Sequence, residues 1–201
     1  TLKVLGHDAL SILDGGFKAW TDPVDKATQQ PLNPLAAGDS RPLPATFKAA
    51  FRPEMSVSAA DVETARAKGR LLVDNRPHDF FVGLNRSPAA KRAGTIPGAA
   101  SLPEGWFMVN GGGKFRPREQ LLRLYRLQGI PVDQPHIAFC NTGHWASLGW
   151  FVAHEILGNR SVVAYDGSMA EWTQDVARPV EQRIEVECAG GPGQSGGRST
   201  C

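Results

Sequence analysis

The sequence is poor in cysteine, in long apolar runs and in excess charge of either sign. Its cysteines, Cys140, Cys188 and Cys201, form no CxxC pair and no Cys/His cluster with zinc-ligand spacing, so neither a disulfide scaffold nor a metal site is predicted. No apolar run approaches the roughly 20 residues that span a bilayer, so no membrane partner is expected. The 22 basic and 20 acidic residues leave a net charge of +2 without a block of like charge, which predicts no nucleic-acid partner.

Two questions stay open at this level. Cys188 and Cys201 both lie in or near the C-terminal tail, and one bond between them would leave Cys140 as a thiol. The residues from Thr1 onward show neither a basic nor an apolar leader region, so they contain no signal-peptide pattern. We expect a soluble protein, and either the cytoplasm or the periplasm is compatible with this sequence.

A repeat relates the start of the chain to its end. Residues 5–20 (LGHDALSILDGGFKAW) align without gaps on residues 157–172 (LGNRSVVAYDGSMAEW), sharing Leu-Gly, Asp-Gly and a closing Trp. These elements suit a helix end, a turn after a strand and an anchor, which predicts a duplicated unit. Residues 1–20 would then be the last strand and turn of a first copy. Because an orphan strand cannot satisfy its backbone groups alone, we expect it to dock on the second copy through Phe17 and Trp20.

Composition suggests the domain boundaries. Residues 21–45 contain five prolines and few large apolar residues, which is typical of an extended linker, and we assign the linker to residues 21–53. Residues 54–180 are predicted to form the complete second copy. Residues 181–201 are assigned to a C-terminal tail, and its Gly/Ser-rich end, CAGGPGQSGGRSTC, is predicted to be disordered.

Helix and strand patterns alternate in the second copy. Ser58, with an acid three residues later, predicts a helix that ends near Lys68; Pro117 starts another, which Gly129 ends, and a third is expected over residues 145–157. Short apolar runs predict strands at residues 71–75, 99–102, 136–140 and 162–165. The roughly thirty residues after the first strand are otherwise expected to be loop. This alternation predicts an α/β fold, a doubly wound parallel sheet flanked by helices.

Cys140 stands where such a sheet binds ligands, at the carboxyl end of a strand. It ends the run HIAF and begins the loop CNTGHW, which leads directly into a helix. Backbone N–H groups of such a loop, with the positive end of the helix, can stabilise a thiolate and a bound anion. Most free cysteines only fill space, but polar Asn141 and Thr142 with Gly143 do not suit a core, so we interpret Cys140 as a nucleophile.

A cysteine phosphatase is excluded because the arginine that would bind the phosphoryl group is absent. Cysteine phosphatases place an arginine six residues after the cysteine, where it binds phosphoryl oxygens in bidentate fashion. Position 146 is alanine, and no arginine occurs before Arg160. The loop therefore lacks the cation that this reaction needs.

Four motifs together resemble the tandem-domain rhodanese-type sulfurtransferases. They are DNR (74–76), RAGTIPGA (92–99), CNTGHW (140–145) and YDGSMAEW (165–172). The resemblance implies a rhodanese-like fold, no cofactor, and a Cys140 persulfide that takes sulfur from thiosulfate or 3-mercaptopyruvate. It implies cyanide or a thiol as acceptor, and a thiol-bearing protein is a further candidate acceptor.

The resemblance also implies roles for other residues. Asn141, Thr142, Gly143, His144 and Trp145 would bind the substrate as parts of the loop, while Asp74 and Arg76 would support the loop and the fold. His144 and Trp145 stand where many members have small or β-branched residues. His144 could donate a hydrogen bond or a proton to the substrate, or it could cap the helix start.

Recognition of the donor differs from the family pattern. Well-known members have an arginine four residues after that of the DNR motif, where it binds the acidic group of the donor, and this chain has Phe80 there. Arg92 matches a second substrate arginine and is the main candidate for an anion contact; the alternative is a solvated loop arginine. Two functions follow. The chain is a sulfurtransferase acting through Cys140, or it is a persulfide carrier that receives sulfur from a partner protein.

Overall fold

A computed structural model describes residues 1–184 of the chain. Cys188, Cys201 and the question of their pairing lie outside the described residues. Within residues 1–184 no helix is long and apolar enough to cross a membrane. The helices are α1 (Gly16–Thr21), α2 (Ala59–Ala67), α3 (His78–Val82), α4 (Arg118–Leu127), α5 (His144–Phe151) and α6 (Ser168–Trp172). The strands are β1 (Leu71–Asp74), β2 (Ala100–Ser101), β3 (His136–Phe139) and β4 (Val163–Ala164).

All strand pairs of the sheet are parallel, and the strand order is β2-β1-β3-β4. β1 lies between β2 and β3, with Val73 opposite Ala100 and Leu72 opposite Ile137. Every residue of β3 is buried, as expected for a parallel strand that is covered on both faces. A backbone hydrogen bond of 3.0 Å from Val57 to the Ala164 carbonyl extends the sheet beyond β4.

Two helical layers cover the sheet. On one face α2, α3 and α6 pack through Val62, Phe81 and Trp172, while α4 and the end of α5 cover the opposite face. Leu72 and Val73 belong to different core clusters, because adjacent residues of a strand point to opposite faces. The α/β fold with a doubly wound parallel sheet is confirmed.

Capping residues in the sequence correctly predicted the start of α2 and the end of α4. The Ser58 side chain accepts a hydrogen bond from the Asp61 N–H while the Asp61 carboxylate accepts one from the Ser58 N–H, a complete capping box at the start of α2. After α4, Gly129 adopts a φ of 64°, which favours glycine. The continuous helix expected over residues 145–157 instead changes at Phe151 into a π-helical turn, Val152–Ile156.

Several short helices were missed by the sequence patterns, and two of them are α-helices of the sheet domain. α3 lies in the stretch expected to be loop, and α6 follows the Asp-Gly turn of the repeat. Each has five residues, too few for an apolar periodicity to show. Past residue 180, where the tail was expected to begin, Glu181 exchanges two backbone hydrogen bonds of 2.8 Å with Thr95.

Residues 1–20 lie against the sheet domain, but not through the expected aromatic residues. Lys3 Nζ contacts Glu155 Oε1 at 2.7 Å, and Asp14 Oδ1 accepts a hydrogen bond of 2.8 Å from the Phe115 N–H. Phe17 is 72% exposed, so docking through its ring was wrong. The strand expected between Gly6 and Asp14 is also absent, because this segment finds no neighbouring strand to pair with.

The repeated segments nevertheless share their backbone geometry. Gly6 and Gly158 have φ values of 88° and 87°, and α1 and α6 start 152 residues apart, at Gly16 and Ser168. Those two first residues both adopt positive φ, 59° and 50° respectively. The closing tryptophans also behave alike, since each indole N–H donates to a proline carbonyl further along the chain, Trp20 to Pro34 and Trp172 to Pro179.

Stability should fall in mild acid because of His136. Burial, opposed by a hydrogen bond to the Gln134 carbonyl, lowers the pKa of His136 from 6.5 to about 4. The folded protein keeps this imidazole neutral while the unfolded chain takes up a proton. The contribution of His136 to the free energy of unfolding is therefore fully present above pH 6.5. It is lost as pH falls towards 4, and the loss is about 3 kcal/mol. His136→Gln should flatten this part of the curve of unfolding free energy against pH, and His7→Gln should not.

The Asp14 contact gives a second prediction. Asp14→Ala removes the acceptor of the Phe115 N–H, so amide exchange at Phe115 should accelerate roughly fivefold, as expected for a hydrogen bond worth about 1 kcal/mol. Asp22→Ala is the matched control, because it breaks only the exposed Lys18–Asp22 ion pair. Equal exchange at Phe115 in both variants, measured by NMR, would show that residues 1–20 are not held at this point.

Candidate active site

Cys140 lies directly after β3, at the carboxyl edge of the sheet. Its side chain is 1% exposed and clusters with Ala138 and Ala146, with Trp145 packed against the same cluster. Ala138 and Cys140 alternate with Phe139 along the strand, so the thiol is on the face that α5 covers. The sheet therefore holds the sulfur beneath the first turn of α5.

A short loop joins Cys140 to α5, and its shape requires glycine at position 143. Gly143 has a φ of 84°, and a Cβ atom there would lie 2.2 Å from Asp166 Oδ1 and 3.1 Å from the Asp166 carbonyl oxygen. Both the backbone conformation and the close approach exclude a side chain. The loop is thereby held against the turn that follows β4.

Backbone N–H groups line this loop without internal partners. Within residues 1–184, no backbone or side-chain acceptor takes a hydrogen bond from the N–H groups of residues 141–146. The first amide of the region with a partner is that of Ser147, which donates to the Gly143 carbonyl at 2.9 Å. Such a set of N–H groups at a helix start favours an anion.

Ser168 holds the backbone of Cys140 from the neighbouring strand connection. Its Oγ accepts a hydrogen bond of 2.9 Å from the Cys140 N–H, donates one of 2.8 Å to the Tyr165 carbonyl, and lies 3.9 Å from Cys140 Sγ. Ser168 is fully buried and adopts a φ of 50°, which is uncommon for a residue with a side chain. The sequence analysis did not single out Ser168, although it lies inside the motif YDGSMAEW. The one signal that could have indicated it is the repeat, which aligns this serine with Gly16.

Asp74 and Arg76 form a buried ion pair beside the site. The two side chains are 0% and 2% exposed, and Arg76 Nη2 lies 2.5 Å from Asp74 Oδ2. Thr95 Oγ1 donates to Asp74 at 2.7 Å and Arg76 donates to the Gly94 carbonyl at 2.8 Å. The pair thus fastens the end of β1 to residues 94 and 95, and it makes no hydrogen bond to the Cys140 loop.

Asn75 is a second residue that the sequence did not single out. Its Nδ2 donates to the Leu102 carbonyl at 2.9 Å, and its side chain fills the space that a Cβ atom on Gly149 of α5 would need, 2.1 Å from Asn75 Oδ1. Asn75 therefore sets how closely α5 approaches the sheet next to Cys140.

The remaining predicted site residues differ in their hydrogen-bond partners. Asn141 is buried, and its Oδ1 has no hydrogen-bond partner within the described chain. His144 is exposed, with Nδ1 3.3 Å from Thr142 Oγ1. Arg92 makes its hydrogen bond outside the loop: its Nη2 donates to the carbonyl of Asp175, beyond the last residue of α6, at 2.8 Å.

Phe80 does reach the loop, as an aromatic ring rather than as a cation. It belongs to α3, and its ring centre lies 6.3 Å from that of Trp145, with the two planes at 66°. This is an edge-to-face contact. Within residues 1–184 no group of three His, Cys, Asp or Glu side chains could hold a metal ion.

The sequence of this chain matches a protein family and several named proteins. A family model described as a rhodanese-like domain matches residues 58–175. The chain is 36% identical over 186 residues to a Haloferax volcanii protein named "Putative thiosulfate sulfurtransferase", covering 90% of this chain and 62% of that protein. It is 31% identical over 185 residues to a thiosulfate sulfurtransferase of Cricetulus griseus, covering 90% of this chain and 58% of that protein. The chain therefore spans about three fifths of these relatives.

A solved structure agrees with the family match. The crystal structure of SseA from Escherichia coli, described with the rhodanese fold of 3-mercaptopyruvate sulfotransferases, superposes with a TM-score of 0.67. The two proteins are 27% identical, and the match covers 83% of this chain and 59% of SseA.

The close approach at Gly143 can be tested with a matched glycine. Gly98 has the same φ of 84° but open space where a Cβ atom would be. Gly98→Ala should therefore cost about 1 kcal/mol of unfolding free energy, from left-handed strain alone. Gly143→Ala should cost about 2–4 kcal/mol, because overlap with Asp166 adds to that strain.

Chemical denaturation of the two single variants and of Gly143→Ala with Asp166→Ala would measure these costs. Truncating Asp166 should recover only part of the loss, because its carbonyl oxygen remains close to position 143. Equal destabilisation by the two glycine substitutions would show that the loop is not pressed against Asp166.

Proposed function

Because this chain belongs to the rhodanese-like domain family, we propose that it is a sulfurtransferase that carries a sulfane sulfur on Cys140. The observation that carries the proposal is the position of this thiol, at the end of a parallel strand and at the start of a loop whose six N–H groups, those of residues 141–146, have no acceptor within residues 1–184. A persulfide anion needs hydrogen-bond donors around its outer sulfur, and we propose that these amides supply them.

The proposed reaction has two steps that balance without a cofactor or an external oxidant. The Cys140 thiolate attacks the outer sulfur of thiosulfate, an Sγ–S bond forms, and the donor S–S bond breaks with its electron pair leaving on sulfite. Cyanide or a thiolate then attacks the outer sulfur of the persulfide, and the Cys140 thiolate is released. With 3-mercaptopyruvate as donor, the carbon–sulfur bond breaks with its electron pair leaving on the enolate of pyruvate, which becomes pyruvate by taking up the proton of the donor thiol.

The roles of the surrounding residues follow from their positions. We assign Asn141, Thr142, Gly143, His144 and Trp145 to the loop that binds the outer sulfur and the leaving group. Ser168 positions Cys140, and Asp74 with Arg76 supports the sheet edge. Arg92 donates through Nη2 to the Asp175 carbonyl and makes no recorded hydrogen bond to the loop within residues 1–184, so we propose that the loop amides are the main anion contact.

The second candidate function is a persulfide carrier that receives sulfur from a partner protein. It is favoured by the replacement of a donor-binding arginine with Phe80, which gives a small dianion no cation to bind. Steady-state turnover distinguishes the sulfurtransferase from the persulfide carrier. An enzyme should reach a steady state with a small donor and cyanide, whereas a carrier should accept one sulfur and stop.

We also propose that residues 54–180 form the catalytic unit and that residues 1–20 are equivalent to the closing segment of such a unit. The shared φ values, the 152-residue spacing of α1 and α6 and the two Trp–Pro hydrogen bonds support this equivalence. Residues 21–53 would then connect the two.

Incubation with a sulfane donor should add one sulfur atom to Cys140. Cys140→Ser should abolish the addition and turnover without changing the unfolding free energy by more than about 1 kcal/mol, since the two side chains are nearly isosteric. The double variant Cys188→Ser with Cys201→Ser is the matched control and should still take up sulfur. Peptide mass spectrometry locates the modification, and sulfur on Cys188 or Cys201 alone would contradict the assignment.

A further inference from the structure

The segment that leads into α4 and forms it carries positive charge that no carboxylate balances. The basic residues of this segment, residues 114–126, are Lys114, Arg116, Arg118, Arg123 and Arg126, and its one acid is Glu119. Within residues 1–184, none of these basic side chains forms an ion pair, either with Glu119 or with an acid of another element. The charge of this surface is therefore open to a partner of opposite sign.

A groove beside α4 adds apolar surface to this charge. Its volume is about 350 Å³, and its lining includes Trp106, Met108, Leu124 and Leu127 together with Arg116. Trp106 is 37% exposed and Leu127 is 71% exposed. Single exposed apolar residues are ordinary, but apolar side chains that share one concave surface with a polar rim are typical of interaction sites. We refer to this surface as the α4 groove.

Two arginines belong to the same side of the molecule as the apolar lining. Arg116 is held at the groove, since its Nε donates to the Trp106 carbonyl at 2.8 Å and its Nη1 to Gln120 Oε1 at 3.3 Å. Its Nη2 has no partner within residues 1–184. Arg123 precedes Leu127 by four residues within α4, which places the two side chains on one face of the helix. Guanidinium groups and apolar side chains therefore share the α4 groove.

Charge and shape together indicate the kind of partner. A nucleic acid can use the cations and stack a base on Trp106, but it has no aliphatic group to cover Leu124 and Leu127. An acidic protein segment can use both features, because an apolar side chain fills the groove while neighbouring carboxylates accept hydrogen bonds from arginine. Tryptophan and arginine are also the residues that most often dominate the binding energy of protein interfaces.

We propose that the α4 groove binds an acidic segment of a partner protein. One apolar side chain of that segment lies in the groove between Trp106 and Leu127, and its carboxylates bind Arg116 and Arg123. The inference goes beyond the proposed function, because none of these residues belongs to the Cys140 loop and binding requires no step of sulfur transfer.

Three peptides with blocked ends separate the apolar contribution from the acidic one. Asp-Glu-Leu-Phe-Glu-Asp has both features, Asp-Glu-Ser-Ser-Glu-Asp keeps only the charge, and Asn-Gln-Leu-Phe-Gln-Asn keeps only the apolar pair. The first peptide should bind the chain roughly tenfold more tightly than either of the others, as measured by fluorescence anisotropy. Added salt should weaken the first peptide and leave the uncharged one unchanged. The NMR signal of the Trp106 indole N–H should shift during the titration.

Variants at exposed positions test the groove without disturbing the core. Arg123→Gln should weaken the first peptide about threefold, the effect of one exposed ion pair, and leave the uncharged peptide unchanged. Leu127→Ser should weaken both apolar peptides about fivefold, since it removes apolar contact area. As controls, Arg118→Gln removes the same charge from α4 at a side chain that donates to the Leu157 carbonyl, and Leu43→Ser changes a leucine that is 90% exposed. Neither control should alter binding.

Two sets of results would overturn the proposal. The first is equal affinity for the three peptides, or affinity that Arg123→Gln and Leu127→Ser leave unchanged. The second is tighter binding of a short single-stranded RNA, or of vesicles of anionic phospholipid, than of the first peptide, since the surface would then serve a nucleic acid or a membrane. Sulfur uptake at Cys140 tests the proposed function separately, because none of these measurements depends on it.

Discussion

The site depends on how the connections after β3 and β4 are fastened to each other. Ser168 accepts the hydrogen bond of the Cys140 N–H, the Met169 N–H donates to the Cys140 carbonyl at 3.0 Å, and the Ala170 N–H donates to the Asn141 carbonyl at 2.9 Å. Gly143 rests against Asp166 on the same side. These contacts hold the backbone of the cysteine loop from outside, so the loop keeps its shape although the N–H groups of residues 141–146 bond to no acceptor within residues 1–184.

A second constraint lies within the sheet edge. The buried Asp74–Arg76 pair is costly to remove from water, and it is tolerated because Thr95 and the Gly94 carbonyl satisfy its further hydrogen bonds. The result is a rigid join between β1 and the loop before β2. Asn75, between this pair and α5, transmits that rigidity to the helix whose first turn covers Cys140, so the ion pair supports the site without contacting the sulfur.

Sequence patterns predicted the fold, and the place of Cys140 at the end of a strand, because the relevant signals are local. A capping box at Ser58, a stop at Gly129 and the buried run before Cys140 each involve a few consecutive residues. Ser168 could not be found in this way, because its role depends on a contact across 28 residues. Phe80 was noted as the loss of an arginine, but its contact with Trp145 depends on a five-residue helix that leaves no periodic signal. Long-range contacts between short elements are what the sequence leaves undetermined.

Comparison of the two repeated segments shows that the left-handed backbone at Ser168 is a strained feature of the site. α1 and α6 begin with the same left-handed backbone, and at Gly16 this conformation is free of strain because glycine has no Cβ. At Ser168 the same conformation costs about 1 kcal/mol or more. A glycine would remove that strain and would also remove the hydroxyl that joins Cys140 to Tyr165. Each of those buried hydrogen bonds contributes about as much as the strain costs, since losing the acceptor would leave the Cys140 N–H unsatisfied. Strain at Ser168 is therefore the consequence of placing a hydroxyl beside the cysteine, and in α1, where no cysteine stands, glycine suffices.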